Sequence, residues 1–270
     1  MTDVLGDWKT LELERDGAVA VLRLDRPEVL NAMSAGLIDD IREALAVVES
    51  GSHLRALVMT GNGRAFCAGA DLAASVDEPG ETLGDKVAHS MDVRFNPLVR
   101  EMHALRVPII AAVNGVTAGG GVGLALSCDL VLAAQSASFK LVFAPALGIV
   151  PDVGASYHLP HRVGRARALG LALLGESLSA EKAEEWGLIW RCVPDDELME
   201  TALQLAERLA SGPTRAFVRL REVFAAAEQG DLDAQLDVER DAQRELCSSN
   251  DFTEGVAAFL QKRPPNFQGR

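Results

Sequence analysis

The chain predicts an α/β fold of stacked ββα units followed by a C-terminal helical region. Three observations carry that expectation. Apolar runs of strand character alternate with amphipathic helical segments, a glycine-rich stretch follows two of those runs, and the pattern beyond Pro160 is almost entirely helical.

The elements follow in order. Residues 9–15 and 18–24 alternate apolar and polar side chains around Asp16-Gly17, a strong hairpin signal. Arg26-Pro27-Glu28 ends the second strand. Ser34 is placed to cap a helix in which Leu37, Ile38, Ile41, Leu45 and Val48 keep helical spacing. Residues 54–60 read as a strand leading to Ala65-Phe66-Cys67-Ala68-Gly69-Ala70-Asp71-Leu72. Residues 73–84, rich in small, acidic and turn-forming residues, predict a mobile loop, and residues 87–105 a helix with Val93, Leu98 and Met102 on its apolar positions. Residues 109–113 give the next strand, which leads into Val113-Asn114-Gly115-Val116-Thr117-Ala118-Gly119-Gly120-Gly121. Residues 122–126 then open a buried helix, and residues 129–133 return as a strand. In the tail, Ser179 caps residues 180–186, Gly187 terminates them, and helices over 198–209 and 218–227 follow. This order favours stacked units over a simple doubly wound sheet. It divides the chain into a core over residues 1–200 and a helical subdomain over 201–270 that serves association and pocket closure.

Composition narrows the function classes. A chain of 270 residues with 48% hydrophobic and 24% charged side chains fits a globular enzyme. The net charge of −13 argues against nucleic acid as a partner, which would need a basic stripe. Any phosphate contact must therefore come from a local basic cluster. Cys67, Cys128, Cys192 and Cys247 are widely spaced and form no Cys-x-x-Cys, so no metal site or disulfide framework is expected. Neither a basic leader followed by an apolar core nor an apolar run of bilayer length occurs, so the expectation is a cytoplasmic protein without a membrane partner.

The two glycine-rich stretches carry the chemistry. Small residues at strand ends admit a ligand to the backbone. Amides at a helix N-terminus are unpaired and suit developing negative charge, and two of them aimed at one carbonyl oxygen form an oxyanion hole. Taken singly, each stretch is as well explained by tight turns. The pair, spelled this way and in this order, resembles the enoyl-CoA hydratase/isomerase (crotonase) superfamily, from about Trp8 to the C-terminus. That resemblance implies a crotonase-like spiral of ββα units, and a thioester oxygen bound by the amides of Ala70 and Gly120. Coenzyme A would enter as part of an acyl-CoA substrate, with no prosthetic group. Its groove would begin at Arg26, Val29 and Leu30, beside Ala68 and Leu72, and Lys262 with Arg263 would reach phosphates, from a neighbouring subunit if need be. Solvated surface charge accounts for Lys262 nearly as well. Family members form trimers or pairs of trimers, so a homotrimer or hexamer is implied.

The acids depart from the hydratase pattern. Family hydratases use two glutamates, at positions that here read Gly123 and Ala144. Adding water to a double bond needs groups that activate water and protonate carbon, and neither residue can. A single carboxylate stands nearby, Asp152 in Gly148-Ile149-Val150-Pro151-Asp152-Val153-Gly154, where family isomerases keep an aspartate. One carboxylate suffices to take a proton from one carbon and return it to another. Ile149, Val150 and Val153 would favour its neutral form and raise its pKa. The competing explanation is a helix cap after Pro151. Asp71 is expected to fix its loop and Asp129 to serve as a turn or cap. His158 and His161 lie close to Asp152 in sequence without a role, and the histidines show no metal-ligand grouping. No Gly-x-Ser-x-Gly elbow occurs.

Stretches at residues 95–100, 164–175, 183–190, 236–241 and 254–260 look like the ring-epoxide isomerases of bacterial phenylacetate degradation. That branch converts 1,2-epoxyphenylacetyl-CoA to oxepin-CoA and also shifts 3-enoyl double bonds. The alternatives are a 3,2-enoyl-CoA isomerase of fatty-acid oxidation, a hydratase-like protein, a homologue that binds RNA, against which the net charge counts, or a catalytically dead structural homologue.

Overall fold

The computed structural model describes residues 3–73 and 78–269. A hairpin opens the fold, because Gly17 takes a left-handed turn (φ 58°) that sets Asp16 opposite Val19. Its arms are β2 (Leu11–Asp16) and β3 (Val19–Leu24), with the short β1 (Asp3–Val4) beside β2. Helix α1 (Ala35–Ser50) starts where the Ser34 hydroxyl accepts the Leu37 amide, and it buries Leu37, Ile38, Ile41, Leu45 and Val48. β4 (Ala56–Gly61) and β5 (Ala65–Cys67) follow, both wholly buried. Next come α2 (Leu83–Ser90), a π turn (Met91–Phe95) and α3 (Asn96–Ala104).

The next unit is β6 (Ile109–Val113), β7 (Val116–Ala118) and α4 (Gly120–Leu126). β8 (Leu130–Ala134), β9 (Ser138–Lys140), a π turn (Phe143–Leu147), α5 (Ala155–Val163) and α6 (Arg165–Leu174) come after it. The remainder is β10 (Ser177–Ser179), α7 (Ala180–Glu185), β11 (Arg191–Val193), α8 (Leu198–Ala210), α9 (Thr214–Ala227), α10 (Leu232–Leu246) and α11 (Asn250–Gln261).

Two sheets result, ordered β1-β2-β3-β4-β6-β8-β11 and β10-β9-β7-β5. From β3 onward the large sheet is parallel, and β5, β7 and β9 are parallel in the small one. Each successive pair (β4 and β5, β6 and β7, β8 and β9) gives its first strand to the large sheet and its second to the small one. This is the expected spiral of ββα units.

Three expectations need correction. The region beyond Pro160 is not almost wholly helical, since β10 and β11 close one edge of each sheet. At three residues each they are too short to show a period of two. The helix expected over 87–105 begins earlier, at Leu83, where Thr82 and Asp85 form a capping box, so the end of the predicted 73–84 loop is helical. Residues 74–77 of that loop lie outside the described residues. The same helix is widened at its middle by the π turn that carries Phe95. Finally, α8 buries Leu198, Ala202, Ala206 and Ala210 against strands of the large sheet, so a boundary at residue 200 falls inside it. Among the described residues no helix is long and apolar enough to cross a membrane.

Candidate active site

Both glycine-rich stretches lie where a strand of the small sheet ends, and neighbouring β5 and β7 bring them together. Their approach is close: a methyl added at Gly69 would lie 2.9 Å from the Ala118 carbonyl and 3.1 Å from the Gly120 nitrogen. Only a residue without Cβ fits there, and φ at Gly69 is 95°.

Backbone hydrogen bonds hold the first stretch. The Met33 amide donates to Gly69 O (2.7 Å), the Asp71 amide to Met33 O (3.0 Å) and the Ala68 amide to Leu30 O (3.0 Å). The Ala70 amide is left over, since it alternates with these and has no acceptor among the described residues. In the second stretch the Gly119 amide donates to Lys140 O (2.9 Å), while Gly120 opens α4 and its amide likewise has no acceptor. Two unpaired amides thus flank one small cavity of about 70 Å³.

Asparagines that the sequence reading did not single out stabilise this frame. Buried Asn31 accepts the Arg26 amide (2.8 Å) and donates to the carbonyls of Asn62 (3.0 Å) and Ala65 (2.8 Å). Asn114 accepts the Gly61 amide (3.1 Å) and donates to Gly63 O (3.0 Å). Both side chains satisfy backbone groups in and beside the turn that joins β4 to β5. For Asn114 the available signal was its place just past the end of β6, whereas Asn31 follows a helical turn well beyond β3 and offered none.

The cavity is lined by Met33, Ala68, Gly69, Ala70, Leu72, Phe95, Gly119, Gly120, Val142, Phe143, Leu147, Ile149 and Asp152. Asp152 is the one ionisable side chain among them. Its Oδ1 is buried without a hydrogen-bond partner, and burial pushes its pKa up to about 6. The carboxylate does not cap α5: the residue before that helix is Gly154, and it is the Asp152 backbone carbonyl that accepts the Ala155 amide (2.9 Å). A buried carboxylate oxygen with no partner is costly as structure and suited to exchanging a proton.

The structure places the other candidates as follows. Ala68 and Leu72 line the mouth, with Leu72 exposed. Arg26 is committed within the chain: its guanidinium pairs with Asp71 (2.9 Å) and donates to Ala32 O. Asp71 also accepts the Ala73 amide (3.2 Å), so it does fix its loop. Val29 ends an exposed turn outside the cavity lining. Lys262 sits at the left-handed end of α11, exposed and away from that lining, and Arg263 beside it is paired with Glu254 (2.6 Å). Asp129 accepts the Ile109 amide (2.7 Å) as a turn residue would, and it also forms an ion pair with Arg221 (2.6 Å).

His158 faces a different cleft, with His103, Tyr157 and Arg162. Burial and the neighbouring Arg162 push its pKa down to about 3, so it stays neutral, stacked on His103 at 5.4 Å. Cys67, behind the first stretch, is buried with its thiol pushed up to about 12 and is inert. Among the described residues no group of His, Cys, Asp and Glu is placed to hold a metal.

The positions of the two missing acids also differ from each other. Ala144 is exposed in the π turn and outside the cavity lining. Gly123 is packed so tightly that an added methyl would lie 2.2 Å from the Val153 carbonyl oxygen. No side chain fits there without backbone movement.

The family model described as enoyl-CoA hydratase/isomerase matches residues 14–270. The 1,2-epoxyphenylacetyl-CoA isomerase of Escherichia coli K12 is 47% identical over 252 residues, covering 93% of this chain and 95% of that protein. A Rhodobacter capsulatus protein named "probable enoyl-CoA hydratase" is 42% identical, covering 97% of this chain and 99% of its own. The crystal structure of an enoyl-CoA hydratase from Bacillus anthracis superposes with a TM-score of 0.88 at 32% identity, covering 97% of this chain and all of that one. The chain belongs to the enoyl-CoA hydratase/isomerase family, within the crotonase superfamily.

Proposed function

We propose that the chain is an acyl-CoA isomerase in which Asp152 moves the proton and the amides of Ala70 and Gly120 hold the thioester oxygen. The observation that carries this reading is Asp152 Oδ1, buried without a hydrogen-bond partner in a cavity lined by no other ionisable group. With a 3-enoyl-CoA, Asp152 as carboxylate takes a proton from C2. The electron pair moves into a dienolate whose oxygen carries the charge, and the two amides stabilise that oxygen. The protonated Asp152 then returns the proton at C4, and the double bond lies between C2 and C3. Atoms and charge balance without water or a second acid.

We further propose 1,2-epoxyphenylacetyl-CoA, converted to oxepin-CoA in aromatic catabolism, as the physiological substrate. The likeness to the Escherichia coli isomerase supports it, as do Phe95 and Phe143, which give the cavity aromatic walls. Substrate and product are isomers, so any proton Asp152 takes must be returned. Coenzyme A would pass Ala68 and Leu72 on its way out, with Arg26 supporting that wall through Asp71 and Val29 near the groove. Lys262 would reach its phosphates only from elsewhere in an assembly, and the helices beyond α8 would build that homotrimer or hexamer.

The test offers purified protein three thioesters: the ring epoxide, a 3-enoyl-CoA and a 2-enoyl-CoA. The expected result is isomerised product from the first two and no hydrated product from the third. Hydration of the 2-enoyl-CoA as fast as isomerisation would refute the reading.

A further inference from the structure

The Asp152 carboxylate lies against α4, and what allows it to do so is the absence of side chains on that helix. Gly120 and Gly123 are three residues apart and therefore share a face of α4. A methyl built at Gly120 would lie 3.0 Å from a Val153 methyl and 3.3 Å from Asp152 Oδ1. One built at Gly123 would lie 2.2 Å from the Val153 carbonyl oxygen and 3.0 Å from the Asp152 carbonyl oxygen. The two glycines form a shallow seat, and the Asp152-Val153 backbone occupies it.

Val153 makes the seat directional. Its φ is 49°, in the left-handed region, which a β-branched residue rarely enters. The side chain is nevertheless buried, and the following Gly154 is left-handed as well. Strain of this kind persists only where packing over-determines it, and it sits next to the one ionisable group of the cavity.

We propose that Gly123 and Val153 are positioning residues for the proton shuttle: the empty face of α4 at Gly123 receives the left-handed Val153 peptide and thereby turns the Asp152 carboxylate toward Gly120. The inference rests on the reading of Asp152 as the proton carrier. It gives Gly123 a role of its own. In this chain the glycine at the missing hydratase acid leaves the space that the Asp152-Val153 backbone fills, so a side chain at residue 123 would push away the segment that carries the carboxylate.

Two variants test it. Gly123→Ala fills the seat, and Val153→Gly releases the lock while accepting a left-handed φ without strain. For both, isomerisation of a 3-enoyl-CoA should lose ~10–100-fold in kcat, with KM kept within about threefold, as for a displaced catalytic group. Asp152 should also gain water and titrate lower, which infrared difference spectra against Asp152→Asn read without reference to turnover. Should Gly123→Ala fail to fold, Val153→Gly carries the test. Wild-type kcat together with an unmoved Asp152 titration in either folded variant would overturn the positioning role. Separately, an active Asp152→Asn enzyme combined with a moved titration would leave the seat standing and reject Asp152 as the proton carrier.

Discussion

At the scale of single residues, burial of the Asp152 carboxylate carries a cost in stability. The Asp152 pKa is raised from an ordinary 3.8 to about 6, so the folded protein holds this proton more tightly than the unfolded chain. Stability is therefore lost as pH rises from about 4 through about 6, by on the order of 3 kcal/mol once both states are ionised. Asp152→Asn removes that loss. Its melting temperature relative to wild type should climb between about pH 4 and pH 8, and a difference that stays constant over that range would contradict the burial argument. Activity should run the other way and rise through about pH 6 as the base becomes available. Gly123→Glu belongs to the same scale. Because the Val153 backbone fills the space at Gly123, the new acid should not create a hydratase. Measurable crotonyl-CoA hydration by Gly123→Glu would show that α4 has more room than the packing indicates.

Between residues and the whole fold, strand ends and helix ends decide where chemistry can occur. Gly120 opens α4 with its amide unpaired, and Gly120→Pro removes that donor. Turnover should fall by about 10²–10³-fold in protein whose circular dichroism is unchanged, as for other oxyanion donors. Full activity would mean that the oxygen is bound elsewhere. Arg221 on α9 donates to carbonyls of Met102 and His103 in the last turn of α3 and of Leu105 and Val107 beyond it, and pairs with Asp129 just before β8. Asp129→Ala leaves that guanidinium without its counter-charge and should cost roughly 3 kcal/mol in urea unfolding. A loss below about 0.5 kcal/mol would mean the carbonyls alone hold Arg221.

Much of this level was legible in the sequence. The hairpin at Asp16-Gly17, the Ser34 cap, the strands and both glycine stretches are local signals, and the structure keeps them. Asp152 was legible by subtraction, since the two expected acids were absent. What was hidden depended on distant partners. Asn31 and Arg221 look like ordinary surface residues until the chain brings carbonyls to them. The tightness at Gly123 comes from a segment thirty residues away, and β10 and β11 are too short for any period to show.

For the whole molecule, the central strands β3, β4, β6 and β8 of the large sheet are buried, whereas the last helices leave apolar surface uncovered. Phe259 and Leu260 on α11 are 84% and 75% exposed, next to partly exposed Phe252 and Val256. Exposed apolar side chains gathered on one helix are the kind of surface that subunit contacts cover, and the expectation of an assembly rests on them. Light scattering should give a homo-oligomer in the trimer or hexamer series, and a stable, active 28.8 kDa monomer would contradict it. The most direct test of the molecule's central activity combines turnover of a 3-enoyl-CoA with calorimetric affinity for a coenzyme A thioester, in wild type and Asp152→Asn. The account predicts near-normal affinity and a loss of about 10²–10⁴-fold in double-bond shift, because the amide cannot take up a proton. Isomerisation by Asp152→Asn at close to the wild-type rate would contradict it.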